Sequence, residues 1–73
     1  MDLLIERGGR FIAVECKYAE TVHESDLKGM KALSKAYGPE SLIAGYIASR
    51  TPRPYSLSHG IKNVPGSFIN KVL

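Results

Sequence analysis

Residues 2–17, Asp-Leu-Leu-Ile-Glu-Arg-Gly-Gly-Arg-Phe-Ile-Ala-Val-Glu-Cys-Lys, decide how this 73-residue chain is read. Leu3, Ile5, Ile12, Val14 and Cys16 alternate with other residues at period two, the pattern of strands with one face buried. Gly8-Gly9 interrupts the alternation, and glycine supplies the positive φ angles of a tight two-residue turn. The segment is therefore predicted to be a β-hairpin. With Gly8-Gly9 as the turn, facing residues have numbers that sum to seventeen. Arg7 then faces Arg10, Leu4 faces Ala13, and Asp2 faces Glu15. A four-residue loop at 7–10 gives the same register.

Beyond the hairpin, residues 18–24 form a polar connection. A helix is expected from about residue 26 to residue 37, with Ser25 as its cap and Glu24 and Asp26 at the positive end of its dipole. Leu27, Met30, Leu33, Ala36 and Tyr37 recur at three- or four-residue spacing and make one apolar stripe. Gly38-Pro39 ends the helix. Residues 41–47 are almost continuously apolar, which suits a strand buried on both faces. Tyr55–Leu57 and Ile61–Val64 are candidate short strands around Ser58-His59-Gly60, and a short helix through Phe68, Ile69 and Val72 closes the chain. The expected fold is a single α/β domain: a mixed sheet of three to five strands carrying one main helix.

The hairpin register has a chemical consequence. Directly opposed residues hold their Cβ atoms about 4.5–5.5 Å apart. Asp2 and Glu15 then sit side by side, and Lys17, two residues on, leaves the strand from the same face. Like charges opposed in a hairpin cost stability. A lysine offsets part of that repulsion, and a divalent cation offsets more. Mg²⁺ is typically held by one or two carboxylates, with water and phosphate oxygens filling its other positions. Such an ion activates water and stabilises charge at a phosphodiester. The plainer alternative is a solvated hairpin face carrying a surface ion pair.

At these residues the chain resembles a known family. Asp2-Leu3-Leu4-Ile5-Glu6 followed by Ile12-Ala13-Val14-Glu15-Cys16-Lys17 looks like the PD-(D/E)xK nuclease core, in which an acidic residue on one strand precedes Glu-x-Lys on the next. The wider context, Ser25-Asp26-Leu27-Lys28-Gly29 and the later strand, looks closest to one branch. That branch is the C-terminal domain of unknown function attached to AAA-type ATPases in bacteria and archaea. The resemblance implies a restriction-endonuclease-like core, with Asp2 and Glu15 as metal ligands, Lys17 as the catalytic lysine, Mg²⁺ as cofactor and DNA as partner. Cys16 becomes the variable middle residue, directed into the core. The family core opens with a helix and a strand before the acidic residue, often with a glutamate on that helix. Here the chain starts at Asp2, so a truncated core is expected: a fragment, a shortened product, or a protein completed by another copy. Two functions follow. One is a nuclease-like module for metal-dependent DNA binding or phosphodiester hydrolysis. The other is a non-catalytic interaction or regulatory module, a fragment of such an ATPase, with a vestigial site.

Composition sets bounds. With Lys+Arg 10 against Asp+Glu 7, the net charge of +3 permits nucleic-acid binding without demanding it. Lys28, Lys31 and Lys35 at helical spacing, and Arg50 and Arg53 in a proline-bearing loop, are the candidate phosphate contacts. No apolar run reaches the roughly 18 residues of a membrane span. The opening Met1-Asp2-Leu3-Leu4 lacks a signal-peptide pattern, and a lone cysteine suits a reducing compartment, so a cytoplasmic location is expected. A hairpin that begins at Asp2 leaves a bare edge that invites another chain. A homodimer covering this edge or the apolar hairpin face is expected.

Overall fold

Gly8 and Gly9 take φ angles of 60° and 81°, both on the positive side that only glycine adopts without strain. That turn joins β1 (Leu3–Arg7) to β2 (Arg10–Cys16) in antiparallel pairing, Arg7 facing Arg10, Leu4 facing Ala13 and Leu3 facing Val14. The register is the one read from the sequence. The structure, a computed structural model, describes residues 2–72, with the side chain of Val72 outside the description.

After the hairpin come a 3₁₀ turn (Glu24–Leu27), α1 (Lys28–Tyr37), β3 (Leu42–Ser49), β4 (Tyr55–Ser56) and β5 (Ile61–Pro65). A second 3₁₀ turn (Gly66–Phe68) runs into the short α2 (Ile69–Val72). The strands form one five-stranded sheet in the order β1-β2-β3-β5-β4. The two inner pairings, β2 with β3 and β3 with β5, are parallel, and the two outer ones are antiparallel. The fold is α/β, a mixed sheet with one main helix.

The sheet has two unlike faces. Ala13, Gly45, Ile47 and Ile61 share the face that meets the helical layer, and Ala13, Ile47 and Ile61 pack with Val22, Leu27 and Met30 into the core. Gly45 permits this approach: a Cβ built there falls 2.9 Å from Met30 Sδ and 3.1 Å from Ile61 Cγ1. The opposite face carries Leu3, Ile5, Ile12, Val14, Cys16, Tyr46 and Val64, and only part of it is covered.

Several expectations need correction. The helical segment opens earlier, at Glu24, as a 3₁₀ turn, and true α-helix begins only at Lys28. Its cap is not Ser25. Asp26 bonds back instead, its carboxylate accepting the His23 N–H at 2.8 Å while its own N–H donates to the His23 carbonyl at 2.9 Å. Tyr37 does not join the buried stripe but stacks edge-on against Phe11, with ring centroids 5.4 Å apart. The strand expected at 41–47 runs from Leu42 to Ser49. It is central but not buried on both faces, since Ile43 is exposed and Tyr46 half-covered. Cys16 lies exposed on the open face rather than in the core. One main helix covers one side of a sheet, so residues of the other parity stay near water.

Candidate functional site

Backbone parity along β2 explains where the candidate acids sit. Phe11 and Lys17 direct their N–H groups toward β3, donating to Ser41 O at 2.6 Å and Ala48 O at 2.8 Å. Cys16, of the opposite parity, directs its N–H toward the β1 side. There Asp2 Oδ2 accepts it at 2.7 Å. Asp2 lies one residue beyond the last ladder pair, Leu3–Val14, and its carboxylate closes the end of the hairpin by accepting the Cys16 N–H. Glu15 is half-buried on the helix side, in one row across the sheet with Ile47, Asn63 and Tyr55.

Lys17 leaves β2 toward the same side and meets the helical layer. Its Nζ lies 2.9 Å from Asp26 Oδ1. The Asp26 carboxyl is held below its ordinary range by the His23 backbone N–H and then by the Lys17 ammonium. Asp26 is thus tied at both oxygens, one to the backbone and one to Lys17. This partner was hidden in the sequence, where Asp26 reads as an ordinary first-turn acid.

Asp2 and Glu15 have the donor chemistry that Mg²⁺ accepts, two carboxylates with water and phosphate completing the shell. They are the residues that would hold such an ion, and the chemistry it would supply is activation of a water beside a phosphodiester. No group of three or more His, Cys, Asp or Glu able to hold a metal gathers among the described residues. The ammonium of Lys17 is engaged by Asp26 rather than free above the acid pair.

The candidate phosphate contacts divide into two places. Lys31 and Lys35 line a groove beside α1 with His59, while Lys28 is exposed outside that lining. Arg50 belongs to a separate depression shared with Cys16, Lys17 and Tyr18, and its guanidinium sits 4.8 Å from the Tyr18 ring centroid. Arg53 is exposed, and its carbonyl lies 3.4 Å from Thr51 Oγ1.

A buried polar cluster, not singled out in the sequence, lies where β3 and β5 end. Ser49 Oγ donates to Asn63 Oδ1 at 2.5 Å, and Asn63 Nδ2 donates to Thr51 Oγ1 at 2.6 Å. Because the Ser49 hydrogen goes to Asn63, the 2.8 Å contact between Ser49 and Thr51 leaves Thr51 as donor. Asn63 is fully buried, and no buried side-chain polar atom among the described residues lacks a partner. The signal was a polar Asn63 between Ile61 and Val64 in an apolar strand. A satisfied network of this kind is structural in character.

With this geometry established, the chain was compared with known proteins. A family model described as Domain of unknown function (DUF4143) matches residues 1–69. The chain belongs to the DUF4143 family. No curated protein and no solved structure matches it. Membership in DUF4143 fits the expected kinship with an unknown domain carried beside ATPases. It does not speak to a nuclease fold. Among the described residues of this DUF4143 chain, no helix is long and apolar enough to cross a membrane.

Proposed function

We propose that this DUF4143 chain is a non-catalytic interaction module, of the kind attached to AAA-type ATPases, and that its β1 edge is completed by a strand from a second copy. One observation carries the reading: β1 exposes its apolar side chains on both faces, Leu3 at 43% and Leu4 at 44%. Leu3 lies on the open face and Leu4 on the helix side, where α1 does not cover it. The other edge, β4, is two residues long, which blunts it in the usual way. β1 has five residues and no proline, the kind of edge on which another strand adds. The Lys17–Asp26 pair supports the non-catalytic half of the reading, because it commits the one lysine that the resemblance made catalytic.

Size-exclusion chromatography with light scattering tests it. The reading requires a concentration-dependent species at twice the 8.0 kDa chain mass. A monomer at every concentration defeats it.

A second reading, a metal-dependent nuclease acting on DNA, draws on a register that, continued one step past Leu3–Val14, brings Asp2 toward Glu15. A Mg²⁺ or Mn²⁺ titration followed by amide shifts separates the two readings. Shifts confined to Asp2 and Glu15 support the nuclease, and silence supports the interaction module.

A further inference from the structure

A groove between α1 and the turn that precedes β5 joins an apolar lining to two lysines. Its volume is about 530 Å³, within the roughly 300–1,000 Å³ of small-molecule sites. Met30, Leu42, Ile61 and Pro39 supply an apolar lining, and Lys31, Lys35 and His59 supply the charged or titratable groups. Among the described residues, no acid lines it.

Two features are costly for stability alone. Lys31 and Lys35 stand four residues apart on one helix, an arrangement that destabilises by a few tenths of a kcal/mol through like-charge repulsion. His59 adopts a left-handed backbone, φ 62° and ψ 27°, which a non-glycine residue takes at a cost and which is over-represented at ligand sites. Exposed Pro39 and half-buried Leu42 give the groove the apolar surface that water reaches, and the almost fully buried Met30 and Ile61 close its floor.

The His59 turn is also fixed in place. Glu24 accepts the Ser58 N–H at 3.1 Å and the Ser58 hydroxyl, pinning the turn to the start of the helical layer. Those two bonds, the hydroxyl first, hold the Glu24 carboxyl below its ordinary range, so it is an acceptor only. Since the one Ser58 hydrogen goes to Glu24, the 2.9 Å contact from Ser58 Oγ to His59 Nδ1 makes Nδ1–H the donor. With Nδ1 as the donor, Nε2 of the neutral ring carries a lone pair, so His59 borders the groove without donating to an anion. Lys31 and His59 also lower the Glu24 carboxyl, less than Ser58 does.

We propose that this groove binds a small amphipathic anion, a phosphate ester of an apolar or aromatic group, with its phosphate between Lys31 and Lys35 and its apolar body against Leu42 and Pro39, over the floor made by Met30 and Ile61. Long nucleic acid would not need the apolar wall, since backbone phosphates are met by exposed cations.

Phenyl phosphate is the probe, titrated into the full chain while the methyl signals of Met30, Leu42 and Ile61 are followed by NMR. The expected result is a saturable shift of all three, with Lys31→Met and Lys35→Met each weakening binding about fivefold. Retained Ile47 methyl shifts check that each variant is folded. Inorganic phosphate is expected to bind at least about tenfold more weakly, and benzyl alcohol likewise. Equal binding of inorganic phosphate overturns the proposal in favour of surface lysines alone. Equal binding of benzyl alcohol overturns it in favour of an apolar crevice. A short single-stranded oligonucleotide that outcompetes phenyl phosphate overturns it in favour of a nucleic-acid surface.

Discussion

The ammonium of Lys17 lies 2.9 Å from the carboxylate of Asp26, a contact that ties the residue following β2 to the turn that opens the helical layer. Asp26 is depressed below its ordinary value, first by the His23 N–H and then by Lys17. Glu24 is depressed by Ser58. A carboxyl depressed in the folded state adds stability above its unfolded value, about 3.9 for Asp and 4.3 for Glu, and that stability is lost as pH falls through the folded value. Urea midpoints measured from neutral pH downward should therefore fall in the acid range. Asp26→Asn and Glu24→Gln should each flatten that fall. An unchanged acid profile in both variants would remove these two carboxyls from the fold's electrostatics.

Gly45 faces Met30, Ile61 and Leu42 with no space for a larger group. Its φ is not in the left-handed region, so Gly45→Ala gains about 0.4–1 kcal/mol from a less flexible unfolded chain. The 2.9 Å approach to a flexible Met30 sulfur offsets that gain, and a change near zero is expected. Gly45→Val overpacks the same point against Ile61 and should cost about 1–3 kcal/mol. Chemical denaturation of both variants measures the difference.

Asn63 closes the buried ring with Ser49 and Thr51. Asn63→Leu strands both hydroxyls away from their partner, at about 1–3 kcal/mol for each group left unsatisfied. Combining it with Ser49→Ala and Thr51→Val should recover part of the loss, because of the ring's partners only the Thr51 N–H, which donates to Ser49 Oγ at 3.2 Å, is then left unmet. A triple variant less stable than Asn63→Leu alone would show that the ring is not the unit of stabilisation.

The ladder between β1 and β2 alternates, and the pair flanking a two-residue turn, Arg7 and Arg10, is hydrogen-bonded. Leu3, Ile5 and Arg7 therefore bond inward, and Leu4 and Glu6 present their backbone groups outward. Leu4→Pro removes an outward N–H without breaking the hairpin ladder, as proline is tolerated on edges. It should abolish self-association in light scattering while leaving β1–β2 amide protection in place. Persistence of the dimer would move the interface away from this edge.

Much of the hairpin was legible because two local signals agreed, an alternating apolar pattern and a Gly-Gly turn that permits one register. The end of α1 was equally plain at Gly38-Pro39. Its beginning was not. Ser25 has the chemistry of a cap, but Asp26 provides the bond back to His23, and the choice depends on Lys17 arriving from another strand. The openness of one sheet face was also hidden. An apolar run such as Leu42–Ile47 has the same sequence whether a second layer covers it or not, so Ile43 and Cys16 read as core and lie exposed. At the candidate site, the expected opposition of Asp2 and Glu15 rested on register alone. The side-chain engagements that reassign Asp2 and Lys17 come from Cys16 and Asp26, and no spacing rule announces them.

That Lys17 serves Asp26 and not a substrate is the claim on which the non-catalytic reading turns. Incubation of plasmid DNA with the chain and Mg²⁺, wild type beside Lys17→Ala, tests it most directly. The account predicts no cleavage by either protein and an acid-range loss of stability altered in the variant. Cleavage by the wild type that Lys17→Ala abolishes would contradict it.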